Sequence, residues 1–263
     1  MKKRRIYRLA AGALTIFMAL STFSGCKPSE EEQRCSEGVA YLKALEAQSP
    51  DAVEEKLRQI EQQRILRERE QRIQSLIDDR SGVWKYFENY VILGDSRAVG
   101  FSYFGFLDES RVLAESGATI LQVSQRLDEL AKLNPSTVFL CYGLNDLGVG
   151  RWDQPSDYAE GFAKMIESLR RTLPKAKIVV SSILPARDAA LETQERWGRI
   201  PEFNAAIEVY CKENGLIFAD NEAICQEHAD LWEGDGIHVK STFYPYWAAN
   251  LIIASWGEDT TGE

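Results

Sequence analysis

A serine, a histidine and an aspartate in this sequence have the types and spacing needed for nucleophilic chemistry. Ser96 lies in the stretch Tyr90–Gly100 (YVILGDSRAVG), where a short apolar run meets a glycine and a helical pattern begins. A serine at such a strand-to-helix turn lies at the carboxyl edge of the predicted sheet, where open α/β sheets bind ligands. A serine hydroxyl is a weak nucleophile until a base takes its proton, so the chain must also supply a base.

One of the two histidines in the chain is well placed to be that base. His238 follows Asp235 by three residues in the sequence DGIH, after the last predicted strand. A carboxylate in the same turn can accept the imidazole Nδ1 proton, which fixes the tautomer and stabilises the imidazolium. His228, in the sequence QEHAD, has no comparable setting and is interpreted as a residue on the surface of a helix. Asp95 is expected to shape the turn before Ser96 through backbone hydrogen bonds.

Acyl transfer also needs hydrogen-bond donors for the oxyanion, and removing one such donor raises the barrier by about 3 to 4 kcal/mol. Gly117 follows the second predicted strand and Asn145 follows the third. The Gly117 N–H, the Asn145 amide and the Ser96 N–H are therefore expected to converge at one edge of the sheet. Arg97, beside the nucleophile, and Tyr142, at the end of the third strand, are candidate substrate contacts.

Five apolar runs separated by helical patterns predict the elements that must position these residues. Hydrophobic residues make up 44% of the chain, which favours a globular core. Near-continuous apolar strands alternating with helices indicate a parallel sheet covered on both faces, an α/β fold. The predicted strands are Tyr90–Leu93, Arg111–Ala114, Thr137–Tyr142, Lys177–Ser182 and Leu216–Ala219, and the predicted helices are Thr119–Leu133, Ser156–Leu173, Ile200–Glu213 and Phe243–Trp256.

Residues 89–256 resemble the SGNH, or GDSL, hydrolase superfamily. The resemblance lies in four blocks: Gly94-Asp95-Ser96, Gly117, Gly143-Leu144-Asn145-Asp146 and Asp235-Gly236-Ile237-His238. It implies a three-layer α/β/α sandwich, flavodoxin-like, with a parallel sheet of about five strands. It also implies a nucleophile, a base and an orienting acid at Ser96, His238 and Asp235, and oxyanion donors at Ser96, Gly117 and Asn145. Arg97 departs from the name-giving motif, which has leucine there, and this bears on the substrate class.

The amino terminus is similar to a bacterial lipoprotein signal. Five basic residues precede the apolar run Leu9–Phe23, which ends in Ser24-Gly25-Cys26. The run is shorter than the ~20 apolar residues that a membrane span needs. Residues 1–25 are therefore predicted to be a cleaved signal, and Cys26 to carry the lipid that anchors the protein outside the cytoplasm. The alternative is release as a secreted protein.

The acidic character of the chain argues against nucleic acid as a partner. Its net charge is −9, and loss of the basic signal would make the mature protein more acidic. Such a surface does not attract nucleic acid. No metal cluster or cofactor-binding loop occurs in the sequence, so no cofactor is expected. Cys211 with Cys225 is the only disulfide considered, and Cys141, within an apolar strand, is interpreted as a buried thiol.

A helical region is predicted between the anchor and the hydrolase domain. Residues 26–48 are expected to form a polar tether with a short helix, and residues 49–88 a helical stalk that begins at Ser49-Pro50-Asp51. Arg64 and Arg67 interrupt its apolar stripe, so a sustained coiled coil is not favoured. The stalk is interpreted either as a spacer that could dimerise or as a helix packed along the domain. Residues 257–263 are expected to form a polar tail.

Together these features predict an extracytoplasmic serine esterase that works through an acyl-enzyme. Location and family resemblance favour acetyl esters on envelope or extracellular carbohydrate as the substrate. The alternatives are a lipase or lysophospholipase, an O-acyltransferase that uses the same three residues, and a glycan- or partner-binding module without catalysis.

Overall fold

The structure is a computed structural model that describes residues 34–39, 43, 50–78 and 82–257. The predicted signal, Cys26 and most of the tether lie outside the described residues. Contacts divide the chain into two units, residues 1–63 and residues 64–263. In the first unit residues 34–39 are helical, and residues 50–63 belong to helix α1 (Pro50–Asp78). Among the described residues, none of the helices has the length and hydropathy to cross a membrane.

A parallel sheet of five strands forms the centre of the second unit, as predicted. The strand order is β2-β1-β3-β4-β5, a doubly wound, flavodoxin-like arrangement. Each predicted strand is confirmed to within one residue at either end. The strands are β1 (Tyr90–Gly94), β2 (Val112–Ala114), β3 (Thr137–Cys141), β4 (Lys177–Ser181) and β5 (Ile217–Ala219).

The helices follow the strands as a doubly wound fold requires. The predicted helix Thr119–Leu133 divides into a 3-10 helix (Ile120–Arg126) and a short α-helix (Leu127–Leu133). The other predicted helices are confirmed to within one residue at either end. After α1 the helices are α2 (Ser96–Tyr103), α3 (Leu127–Leu133), α4 (Leu144–Gly148), α5 (Pro155–Thr172), α6 (Ala189–Thr193), α7 (Ile200–Glu213), α8 (Glu222–Glu227) and α9 (Tyr244–Trp256).

Alternate residues of each strand face two separate apolar layers. In β1, Val91 and Leu93 pack with residues of α5 and α7, while Ile92 packs with residues of α2 and α9. A side chain of this kind contributes roughly 1.5 to 3 kcal/mol when fully buried. The predicted three-layer α/β/α sandwich is therefore confirmed.

The two layers also explain why the disulfide considered for Cys211 and Cys225 is absent. Cys211 lies in the layer of α5 and α7, whereas Cys225 lies in the layer on the other face of the sheet. Both thiols are free and buried, and burial raises the pKa of each to about 12. Neither the number nor the spacing of the cysteines indicates which face of the sheet each one occupies, so the pairing could not be judged from the sequence.

The last part of α1 packs within the second unit. Ile73 and Leu76 are only 5% and 8% exposed and lie in the same apolar layer as Phe87 and Ile253. For residues 64–78 this favours the interpretation of a helix packed along the domain. Dimerisation through the stalk stays a prediction.

Candidate active site

Ser96 is presented by a tight turn between β1 and α2. A Cβ on Gly94 would overlap the side chain of Ala98 and the carbonyl of Cys141, so only glycine lets β1 end this close to the helix. Asp95 then caps α2, since its Oδ1 accepts a hydrogen bond from the Arg97 N–H at 3.0 Å. The role expected for Asp95 is confirmed. Ser96 is the first residue of the helix, where no intrahelical acceptor exists for its N–H.

Three side chains meet beside this turn. His238 Nε2 is 3.1 Å from Ser96 Oγ, although the two residues are 142 positions apart in the sequence. His238 Nδ1 is 2.6 Å from Oδ2 of Asp235. The other carboxylate oxygen of Asp235 accepts hydrogen bonds from the N–H groups of Ile237 at 2.8 Å and His238 at 2.9 Å. One chain of hydrogen bonds therefore joins the aspartate, the histidine and the serine.

The carboxyl group of Asp235 is held in its ionised form. Burial acts to raise its pKa, but hydrogen bonds from the His238 ring and from the backbone N–H groups of Ile237 and His238 outweigh this and lower the pKa. An ionised carboxylate at Nδ1 leaves Nε2 free to accept a proton from the serine.

The loops after β2 and β3 are tied together at the same edge of the sheet. Nδ2 of Asn145 donates to the carbonyl of Ala118 at 3.0 Å, and Oδ1 of Asp146 accepts from the N–H of Ile120 at 3.2 Å. Gly117 has φ +77°, a backbone conformation that favours glycine. A Cβ there would meet nothing within 4 Å, so backbone conformation rather than space requires the glycine. The candidate oxyanion donors thus lie on connected loops after neighbouring strands.

The structure places both candidate substrate contacts in the interior. Arg97 is 3% exposed and Tyr142 is 5% exposed. Nη1 of Arg97 donates to the carbonyl of Leu184 at 2.7 Å instead of reaching solvent, and burial raises the pKa of the Tyr142 hydroxyl. Neither side chain is exposed to solvent, and a substrate contact by either of them stays a prediction. No pattern in the sequence indicates the direction in which these two side chains point.

The loop that carries the acid and the base, here called the acid–base loop (residues 232–238), is supported by residues that the sequence did not reveal. The Arg187 N–H donates to the carbonyl of Gly236 at 2.8 Å. Gly236 has φ +69°, and a Cβ on it would overlap the Arg187 carbonyl. Trp232 Nε1 donates to the carbonyl of Pro185 at 3.3 Å. A glycine in a turn, as in DGIH, is the one signal of such a close approach, but nothing in the sequence locates the segment that it contacts.

Asp146 is a buried carboxyl group for which the sequence suggested no separate role. It is 0% exposed, and within the part of the chain that the structure describes its Oδ2 has no hydrogen-bond partner. Burial raises its pKa to about 7, against the opposing effect of the Ile120 N–H. A neutral carboxyl group is the less costly form to bury without a partner.

Replacing Asp146 with asparagine is expected to remove part of the pH dependence of stability. Between about pH 4 and pH 7 the unfolded chain loses this proton while the folded chain keeps it, so the free energy of unfolding falls as pH rises. The loss amounts to about 4 kcal/mol. Urea unfolding at intervals from pH 4 to 7.5 measures it. Glu160→Gln, on the exposed face of α5, is the control, and parallel pH curves for wild type and Asp146→Asn would contradict the prediction.

Among the residues that the structure describes, no group of three or more histidine, cysteine, aspartate or glutamate side chains could hold a metal ion. The chemistry available at this edge is that of a serine, an imidazole and a carboxylate beside backbone and amide donors. The fold and this arrangement define the class of the protein, an α/β serine hydrolase of the SGNH type.

The chain belongs to the GDSL-like lipase/acylhydrolase family, whose family model matches residues 92–244. No curated protein sequence matches it. A solved GDSL-like lipase from Bacteroides thetaiotaomicron is 23% identical, with a TM-score of 0.52 over 64% of this chain and 87% of that one. An acetylxylan esterase from Geobacillus stearothermophilus is 15% identical, with a TM-score of 0.50 over 65% of this chain and 95% of that one. At these identities the likeness concerns the fold.

Proposed function

We propose that this protein is an extracytoplasmic serine esterase that removes acetyl groups from carbohydrate. Membership of the family supports ester hydrolysis. The observation that carries the proposed mechanism is the hydrogen-bond chain from Asp235 Oδ2 through His238 to Ser96 Oγ, with distances of 2.6 and 3.1 Å. These distances are within the range in which a base can accept the proton of a serine nucleophile.

In the proposed reaction Ser96 Oγ attacks the ester carbonyl while its proton passes to His238 Nε2. Asp235 stabilises the imidazolium, and the N–H groups of Ser96 and Gly117 with the Asn145 amide stabilise the oxyanion. The C–O bond to the alcohol then breaks, and His238 returns the proton to the leaving oxygen. A water molecule that gives its proton to His238 attacks the acyl-enzyme, and the acid is released with the serine restored.

The exposure of the base and the acid favours a large hydrophilic substrate. The side chains of His238 and Asp235 are 45% and 46% exposed. A polysaccharide chain could approach such a site without entering a pocket, and an acetyl group needs little apolar surface to bind. A long acyl chain, by contrast, gains affinity only when it is buried. This exposure supports the carbohydrate deacetylase over the lipase or lysophospholipase alternative.

The mature chain is therefore expected to prefer short acyl groups. Along a series of 4-nitrophenyl acetate, butyrate and octanoate, kcat/KM is expected to fall at least about tenfold, because at so exposed a site a longer chain stays in contact with water. Acetate release from an acetylated polysaccharide is the second measurement. A preference for octanoate would contradict the deacetylase and favour a lipase. Acetylation of an added sugar acceptor in place of hydrolysis would favour the O-acyltransferase alternative.

We also propose that a lipid on Cys26 holds the enzyme at the outer side of a bacterial membrane. Residue 26 lies outside the described part of the chain, and the support for this proposal is the signal pattern that precedes it. Two or more acyl chains give stable anchoring, at about 0.8 kcal/mol per buried methylene. A Cys26→Ala protein that still fractionated with membranes would contradict the anchor, and one found wholly in the medium would support it.

A further inference from the structure

Arg97 is a buried cation directly after the proposed nucleophile. Its side chain is 3% exposed, and its Nε lies 3.6 Å from Oδ1 of the fully buried Asp95. Its Nη1 makes a 2.7 Å hydrogen bond to the carbonyl of Leu184. Burying a guanidinium is costly even when it is paired, and an apolar residue of similar size is often as stable or more stable. Packing alone therefore does not account for an arginine at a position where the name-giving motif has leucine.

The carbonyl that Arg97 binds belongs to segment 184–187, which follows β4 and also supports the acid–base loop. Pro185 accepts the 3.3 Å hydrogen bond from Trp232 Nε1, and the Arg187 N–H donates to the carbonyl of Gly236 at 2.8 Å. The Arg187 guanidinium lies 4.1 Å from the centre of the Trp232 ring. Segment 184–187 is thus hydrogen-bonded to Arg97, next to the nucleophile, through Leu184. It is hydrogen-bonded to the acid–base loop through Pro185 and Arg187.

We propose that Arg97 is a positioning residue, which sets the distance between Ser96 and His238 through segment 184–187. These two side chains belong to regions 142 residues apart and must meet at 3.1 Å. A displacement of about 1 Å in such a site can lower the rate ~100-fold. The bond from Arg97 to Leu184 supplies a connection between the two regions that does not depend on the serine–histidine hydrogen bond itself. Its catalytic meaning rests on the function proposed above.

The test compares four variants of the mature chain by kcat and KM on 4-nitrophenyl acetate and by the rate at which a fluorophosphonate labels Ser96. Arg97→Leu is expected to lower kcat and the labelling rate about 30- to 100-fold with KM within about twofold, and Trp232→Phe to lower them about 3- to 10-fold. Arg97→Lys is expected to recover kcat and the labelling rate to within about fivefold of wild type, because an ammonium can still donate to the Leu184 carbonyl.

Tyr244→Phe is the control. It removes the 2.7 Å hydrogen bond to the Arg97 carbonyl but leaves the guanidinium in place, so kcat and the labelling rate are expected to stay close to the wild-type values.

A folded Arg97→Leu protein with wild-type kcat and labelling rate would overturn the proposal. If Arg97→Leu does not fold, Trp232→Phe decides, and wild-type labelling in that variant would overturn it. If wild type hydrolyses no ester, the proposed function fails, but the NMR resonances of the His238 ring still test the positioning role. They are expected to shift in Arg97→Leu, or in Trp232→Phe, and to stay in place in Tyr244→Phe. Unchanged resonances in all variants would overturn the proposal independently of activity.

Discussion

Replacing Ser96 with alanine is expected to lower kcat by about 10⁶-fold. Without the hydroxyl no acyl-enzyme can form, and the remaining oxyanion donors and substrate binding leave only a residual rate above that of water. The measurement is kcat on 4-nitrophenyl acetate together with the absence of fluorophosphonate labelling. The binding-module alternative makes the opposite prediction, since the alanine variant would then match wild type in every assay.

Ser102→Ala provides a matched control for that experiment. Ser102 lies on the same helix as the nucleophile, and its hydroxyl donates to the carbonyl of Val99 at 3.1 Å, within the helix itself. Its loss is expected to leave kcat within about twofold of wild type, because surface substitutions away from special features have small effects. A Ser96→Ala protein that keeps more than about one hundredth of the wild-type kcat would place the nucleophile elsewhere.

Replacing Asp235 with asparagine is expected to lower kcat by about 10⁴-fold. The amide oxygen can still accept from the N–H groups of Ile237 and His238, so the loop keeps its shape. The amide nitrogen, however, presents a donor to His238 Nδ1, which forces the proton onto Nε2, the nitrogen that must accept from Ser96. The imidazole is then in the wrong tautomer, and the imidazolium loses its carboxylate. Steady-state kcat on 4-nitrophenyl acetate measures the effect.

Asp230→Asn is the control for Asp235. It is also an exposed aspartate near the acid–base loop, and its backbone carbonyl, which the substitution keeps, makes the contact with Lys240 Nζ at 2.8 Å. Activity within about twofold of wild type is expected for it. If Asp235→Asn fell by less than about tenfold, Asp235 would not be the orienting acid. The base would then depend on another group or on solvent.

The predictable part of the site consists of contacts between residues close together in the sequence. Asp235 and His238 are three positions apart, so a turn that brings the carboxylate to Nδ1 can be inferred from the spacing. Asp95 and Arg97 are two positions apart, and the cap that joins them follows from the strand-to-helix pattern. The β-strands could be predicted because parallel strands buried on both faces read as continuous apolar runs.

The direction in which the side chains of Arg97 and Tyr142 point could not be predicted from the residues next to them in the sequence. Both belong to turns at the predicted site, yet each side chain is buried. Arg97 donates to the carbonyl of Leu184, and Tyr142 lies in the apolar layer of α5 and α7. The hydrogen bond from Arg187 to the acid–base loop joins a segment that follows β4 to a loop about 50 residues further along the chain. No local pattern encodes such a pairing.

The sequence by itself determined where strands and helices alternate along the chain. It also determined the turn that presents Ser96 and the pairing of Asp235 with His238. Apolar periodicity, caps and short-range hydrogen bonds act over a few residues, so they can be read along the chain. Only the tertiary structure decided that His238 Nε2 lies 3.1 Å from Ser96 Oγ, that Arg97 is buried, and that Cys211 and Cys225 lie on opposite faces of the sheet. These features depend on how strands far apart in sequence are ordered side by side, and that order comes from packing of the whole domain.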